Sequence, residues 1–366
     1  MKPGATARIL RRAALVLAAL VCVCAAPIVY VETSCRAPGG IVAEAPSPYQ
    51  IDDPGYRRAE GDSYLSYPEW YIVHAYTDLA GVTRQSSESA FDYFASITGF
   101  WRSLCRATRA ASRVGPVTAD QKTTNYIIGL SFTAEMAIIG GYERTIGAVT
   151  AWLRGPRRTA EDEFALAFAD DYAAFLQQTP WYRYLFAPQL LRFCRETPFG
   201  QGNLVRGVER RFALSLEYGG KAIYAVAIGA LAGLSPADLR LESVVTPLSA
   251  DDLAAEPRIT KIRDLPDGVE LIDTPRYQEY TEILRKLGTR GRSVLEIAGN
   301  RRILATVLAR TDATLATPGA SELFAIPIQS RPGWRRLGLD VEVDKLTALI
   351  GEVERQGGEF EHAYDY

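Results

Sequence analysis

The sequence predicts an α+β protein with an N-terminal transmembrane helix, a mostly α-helical middle domain and a C-terminal ferredoxin-like βαββαβ domain. Three observations support this. A long uncharged run lies near the N-terminus, apolar residues recur at helical spacing through the middle, and strand-like segments alternate with helix-like ones after residue 257. The predicted parts are an anchor (1–34), a linker (35–66), a helical membrane-proximal domain (67–250) and the α/β domain (257–366).

The predicted anchor is the run 13–31, which follows Arg8, Arg11 and Arg12 and contains no charge before Glu32. Such a run approaches the roughly 20 residues needed to cross a hydrocarbon core. Basic residues before the run and an acidic one after it orient the N-terminus toward the cytoplasm. We therefore expect a single-pass inner-membrane protein whose C-terminal bulk is periplasmic or otherwise extracytoplasmic. A cleaved secretory signal peptide is the alternative.

Composition excludes several classes of function. The formal net charge is −2 and no basic block is present, so nucleic acid is not an expected partner. Arginine greatly outnumbers lysine and alanine is abundant, which favours a GC-rich bacterial genome. The chain contains no phosphate loop, GxGxxG fingerprint or HExxH motif, and its cysteine spacing is not that of a zinc site. No cofactor and no metal are therefore expected.

Three cysteines lie outside the anchor, namely Cys35, Cys105 and Cys194. An oxidising compartment permits one disulfide among them. Residues 92–135 and 171–217 share one order of Asp-Tyr, Thr, Trp, Cys-Arg, Leu-Ser and Glu, displaced by about 80 residues, as an internal duplication would produce. A duplication with twofold symmetry would bring Cys105 toward Cys194, which makes this pair the candidate disulfide.

The helical domain opens with Ser66-Tyr67-Pro68-Glu69, a candidate capping box with proline in the first turn. Further helices are expected at 89–112, 120–153, 160–177, 188–194 and 204–234. Two segments, 125–153 and 212–234, are unusually apolar but contain charges near their middle, which are costly within a membrane span. We expect them to be buried or to lie on a membrane surface, with further membrane crossings as the alternative.

The C-terminal region alternates strands and helices. Strands are expected at 269–273, 294–298, 303–308, 323–329 and 360–364, and helices at 275–287 and 343–355. Gly299-Asn300 lies between two of these strands and is a hairpin signature. The order is that of a ferredoxin-like sandwich.

Three ionisable residues are candidates for catalysis. Glu135 and Glu217 each lie in an apolar helix, where burial would raise the pKa and suit a carboxyl group to proton transfer. An ion pair with Lys221, four residues on, is the structural explanation for Glu217. The third candidate is His74, which Asp78 could orient from one turn away; an ordinary polar contact along the helix is the alternative.

Aromatic residues cluster at 64–101 and 181–193, where core packing explains most of them and contact with lipid or a partner protein is the alternative. We expect a membrane-anchored bacterial cell-envelope protein with a non-catalytic binding or assembly role. Its expected partners are membrane lipid and an envelope protein. The alternatives are an enzyme using Glu135 with Glu217 or His74, and a transport or lipid-handling protein with 125–153 and 212–234 inserted in the membrane.

Overall fold

The computed structural model describes residues 3–35, 47–49, 51, 53, 55–200, 202–230 and 239–366. The α+β class is confirmed, with helices first and two antiparallel sheets after them. The helices are α1 Pro3–Ser34, α2 Asp62–Gln85, α3 Tyr93–Val114, α4 Ala119–Tyr142, α5 Ala148–Arg154, α6 Ala160–Leu176, α7 Phe186–Glu196, α8 Leu204–Gly229, α9 Ala250–Ala255, α10 Gln278–Thr289 and α11 Val343–Arg355. The strands are β1 Arg240–Val245, β2 Thr260–Asp264, β3 Glu270–Pro275, β4 Val294–Ile297, β5 Arg302–Arg310, β6 Ala320–Pro327, β7 Trp334–Glu342 and β8 Glu359–Tyr364.

The prediction of an N-terminal membrane anchor is wrong. Within the described ranges, no helix combines the length and the apolar character needed to cross a membrane. The predicted run does form the helix α1, but the last turns of α1 pack against protein. Val31 is buried there, and the Glu32 carboxylate accepts a hydrogen bond from Lys122 Nζ at 3.1 Å. The predicted single-pass inner-membrane topology is wrong for the same reason, because it depended on this anchor.

A disulfide joins the end of α1 to α3, but it is not the predicted one. Cys105 is bonded to Cys35, and the two Cα atoms are 5.0 Å apart. Cys194 lies exposed on α7 with a free thiol. The predicted Cys105–Cys194 pair is therefore wrong, because Cys105 faces the end of α1, within the Cα separation that a disulfide requires.

Helix α2 lies between the other helices and the second sheet. It begins at Asp62, one turn before the predicted capping box, so Pro68 falls inside the helix. The Ser63 hydroxyl donates to the Tyr364 carbonyl at 2.5 Å and accepts from the Leu304 amide at 2.9 Å. These two bonds attach the first turn of α2 to neighbouring strands β5 and β8.

Buried ion pairs join α8 to α6 and to the end of α4. Arg206 and Arg210 of α8 are buried, and both guanidinium groups contact Asp162 of α6, at 2.9 and 3.3 Å. Arg210 also contacts Glu143 at 3.0 Å, the first residue of a π-helical turn between α4 and α5. Burial raises the pKa of the Glu143 carboxyl, and Arg210 opposes this. An unpaired buried charge is costly, so these contacts fix the orientation of α8 about its own axis.

The two sheets repeat one topology. The strand orders are β2-β3-β1-β4 and β6-β7-β5-β8, and all neighbours are antiparallel. If the four strands of each sheet are numbered along the chain, their order across the sheet is therefore second, third, first and fourth. Each set also has one helix, α10 or α11, between its third and fourth strands. The structure thus shows a duplication of topology in the C-terminal region, whereas the sequence suggested one in the helical domain.

The ferredoxin-like prediction is wrong because it required a single four-stranded sheet with β4 and β5 as a hairpin. These strands lie in different sheets. Their link turns sharply at Ala298 and Gly299, where φ is 46° and 74°. The chain before α2 holds this turn, since the Arg58 amide donates to the Ala298 carbonyl at 3.0 Å and the Asn300 amide group donates to the Arg58 carbonyl at 3.0 Å. The segment just before α2 belongs to the predicted linker. The rest of that linker lies largely outside the described residues.

Loss of the disulfide should destabilise the protein. We expect replacement of both Cys35 and Cys105 by alanine to lower the free energy of unfolding by about 4 kcal/mol, because the bond spans a sequence separation of 70 residues. Chemical denaturation measures this. Reduced wild type should resemble the double variant, and Cys194→Ala should resemble oxidised wild type. Equal stability of oxidised wild type and the double variant would contradict the expectation.

Removal of one buried arginine should be much more costly than removal of a surface one. Arg206→Met should lower the free energy of unfolding by about 3–5 kcal/mol, since Asp162 loses a buried partner. The matched control is Arg192→Met, which removes an exposed pair with Glu196 and should cost less than about 1 kcal/mol. Urea denaturation compares the variants, and similar losses from both would count against the importance of the buried contacts.

Candidate functional site

A cavity of about 450 Å³ lies among helices α2, α4, α6 and α8 and the turn after α6. Its volume falls within the range of small-molecule sites in proteins, roughly 300–1,000 Å³. Aromatic rings form much of its wall. They belong to Trp70, Tyr76, Phe132, Tyr172, Trp181, Tyr182, Tyr224 and Tyr277.

Helical periodicity explains why these elements line a common space. Helix α2 contributes Glu69, Ile72, Val73 and Tyr76, which lie at i, i+3, i+4 and i+7 and therefore share one face. Helix α4 contributes residues 124, 128, 131 and 135 at similar spacing, and α8 contributes residues 221, 224 and 228. The cavity thus occupies the space where the faces of these three helices converge beside Tyr172 and Leu176 of α6.

One end of the cavity contains an ion cluster. Lys221 Nζ lies 3.0 Å from Glu135 Oε1 and 2.8 Å from Glu217 Oε1. The Tyr76 hydroxyl donates to the same Glu135 oxygen at 2.6 Å. The ammonium also lies 5.1 and 5.3 Å from the ring centres of Tyr76 and Tyr172, within the range of cation–π attraction.

The charge state of this cluster follows from its neighbours. Burial lowers the pKa of Lys221, but the Glu135 and Glu217 carboxylates outweigh it and hold that pKa well above its ordinary value. Burial and the Glu135 charge raise the pKa of the Tyr76 phenol well above its usual range, so the hydroxyl remains a donor. The carboxylates of Glu135 and Glu217 thus share one ammonium at this end of the cavity.

In the structure, the two predicted glutamates, Glu135 and Glu217, both contact the ammonium of Lys221. Glu217 and Lys221 form the intrahelical pair expected from their spacing. Glu135 lines the cavity itself, and its partners Tyr76 and Lys221 come from α2 and α8, which the local sequence around Glu135 could not reveal. A catalytic role for Glu135 or Glu217 stays a prediction.

A further carboxylate, Glu69, lines the cavity two helical turns before Tyr76, roughly 10 Å along α2. Glu69 is exposed, and the nearby Arg276 guanidinium favours its charged form. Arg276 itself contacts Asp365 at 2.8 Å. In the part of the chain that the structure describes, no group of three or more His, Cys, Asp or Glu side chains is arranged to hold a metal ion.

The third predicted residue, His74, faces the second sheet instead of the cavity. Its Nε2 lies 2.9 Å from the Tyr364 hydroxyl and its Nδ1 lies 3.6 Å from Glu361. Burial, assisted by the Arg336 charge, lowers the pKa of His74 to about 3. Asp78 does not orient the ring as proposed from the sequence, because its carboxylate accepts from the Ser330 hydroxyl at 2.6 Å.

Trp70 was recognised in the sequence only as one of many aromatic residues. One side of its ring lines the cavity, and its ring centre lies 3.6 Å from that of His362. Trp181 and Tyr182, in the second aromatic cluster of the sequence, also line the cavity. Clustering was therefore the only sequence signal for this wall, and it did not distinguish a ligand site from an ordinary core.

The two buried histidines should make stability fall in acid. Burial lowers the pKa of both His74 and His362 below the unfolded value near 6.5, so below that pH the unfolded chain binds protons that the folded chain does not. Each histidine therefore lowers the free energy of unfolding by about 1.4 kcal/mol for every pH unit below 6.5. His74→Gln should therefore flatten the curve of unfolding free energy against pH by this amount between pH 6.5 and about 3. Urea denaturation across this range checks it, and parallel curves would refute it.

Comparisons with known proteins add no assignment to this geometry. The sequence matches no protein-family model, and no curated protein or solved structure matches it significantly.

Proposed function

We propose that this protein binds a small, largely apolar molecule in the cavity among α2, α4, α6 and α8. The observation that supports this most is the combination of a volume of about 450 Å³ with a wall of aromatic and aliphatic side chains and few charged groups. Sites that bind small organic ligands have this composition, since apolar contact supplies affinity and a few polar groups set orientation.

The charged groups of the cavity favour a ligand with one polar end. Lys221 and Glu135 lie at one end and Glu69 lies along α2, while Val73 and the aromatic rings form the wall beside them. A neutral, aromatic ligand could stack on Trp181 or Tyr224 and direct a polar group toward the ion cluster. We propose that the binding role expected from the sequence is carried out in this cavity.

The contacts of Glu135 support binding more than proton transfer. Its Oε1 already accepts from the Tyr76 hydroxyl and contacts the charged ammonium of Lys221. These contacts hold the carboxylate in one orientation, as suits a polar group that orients a bound ligand. His74 lies against β8 and does not line the cavity, so the enzyme hypothesis with Glu135 and His74 as a pair has no geometric support.

A neutral fluorescent probe tests the proposal. N-phenyl-1-naphthylamine should bind at one saturable site and become brighter, because contact with the aromatic wall replaces part of the water around the probe. Val73→Trp should lower its affinity at least about tenfold, since the indole would fill cavity space beside Trp70. Fluorescence titration measures both.

The matched control is Ile138→Trp, which adds the same side chain at an exposed position of α4 outside the cavity wall. This variant should bind the probe as the wild type does. Thermal melting verifies that both variants are folded. If a folded Val73→Trp variant bound the probe with unchanged affinity, the cavity would not be the binding site.

A further inference from the structure

Helix α8 has the reverse of the pattern expected for a helix on a water-soluble core. Its charged side chains point inward, and Arg206 and Arg210 are 0% and 2% exposed. Its outward positions between 204 and 230, all of which the structure describes, are apolar or glycine except Tyr224. A helix that faces water normally has its charges outside and its apolar side chains inside.

Helices α4 and α5 lie beside α8 and continue this surface. Along α8, Asn203 contacts the Leu153 carbonyl, Arg210 contacts Glu143 and Lys221 contacts Glu135, so the chains run antiparallel. Val149 and Trp152 of α5 are also exposed. We call the surface formed by Val149, Trp152, Val208, Phe212, Leu216 and Ile223 the apolar face; these side chains are 47–79% exposed.

The apolar face is too extensive to be ordinary surface. From Val208 to Ile223 it runs roughly 20 Å along α8 without an exposed charge. Isolated exposed apolar residues are common, but contiguous ones mark surfaces that contact a partner or a membrane. The ligand cavity does not account for it, because none of its six residues lines the cavity.

We propose that the apolar face docks on a lipid surface, with α5 and α8 lying flat at the boundary between headgroups and acyl chains. Its outward side chains provide almost no hydrogen-bonding groups. A protein partner would require about one hydrogen bond per 100–200 Å² and a polar rim, whereas acyl chains require none. This inference does not depend on the proposed ligand-binding function.

The end of α5 fits a headgroup region. Trp152 is 79% exposed, and Arg157, five residues later, is also exposed. Tryptophan favours the zone between lipid and water, and exposed arginine attracts anionic headgroups. Arg144, the only exposed charged residue between residues 123 and 153, is paired with the exposed carboxylate of Asp92 at 2.8 Å. The features that complement an anionic lipid surface are therefore Trp152 and Arg157 at the end of α5.

Vesicle flotation with the full chain tests the proposal. The vesicles contain equal parts of phosphatidylcholine and phosphatidylglycerol. Wild type should float with them, and a triple variant, Val208→Ser, Phe212→Ser and Leu216→Ser, should bind at least about a hundredfold more weakly because three apolar side chains no longer leave water. Circular dichroism and thermal melting verify that the variant is folded.

The matched control places the same number of serines on α1, at the exposed positions Leu15, Val21 and Val29. This control should float as wild type does. The proposal is overturned if the α1 control loses binding while the α8 variant keeps it, or if wild type does not float. It is also overturned if ultracentrifugation shows a wild-type dimer that the α8 variant dissociates, since a second copy would then cover the apolar face.

Discussion

The inward ion pairs of α8 constrain the rest of the helical domain. Arg206, Arg210, Glu217 and Lys221 lie at i, i+4, i+11 and i+15, which places them on one face of the helix. Asp162 and the other carboxylates of α4 and α6 contact this face, and they therefore fix the orientation of α8 about its own axis. That rotation brings Lys221 to the cavity and leaves the opposite, apolar side exposed. The candidate ligand site and the proposed lipid-binding face are therefore two consequences of pairing buried charges.

Helix α2 connects the cavity to the sheets. One face of α2, including Val73 and Tyr76, lines the cavity, while Ser63 and His74 bind the second sheet. Trp70 contacts both environments, since its ring lines the cavity and packs on His362 of β8. The Trp70 ring therefore links the packing of β8 to the cavity wall.

The C-terminal region shows how a segment without regular structure can decide a topology. Helices α10 and α11 contribute to one core with strands of both sheets. Tyr56, just before α2, is buried against the first sheet, and its hydroxyl donates to Glu296 of β4 at 2.9 Å. With Arg58 bound to the β4–β5 turn, this segment separates two strands that their local sequence would have joined as a hairpin. Composition alone indicated only a spacer there.

The sequence by itself determined the α+β class, the helices of the middle domain and the intrahelical Glu217–Lys221 pair, because propensity, periodicity and i,i+4 spacing are local properties. Only the tertiary structure decided that Cys105 pairs with Cys35, that Glu135 meets Lys221, and that β4 and β5 separate. Each of these contacts joins residues far apart in the chain, and hydropathy does not encode which distant partner a side chain meets. The charge-free run near the N-terminus illustrates the same limit: its composition indicated lipid, whereas the structure packs its end against α3 and α4.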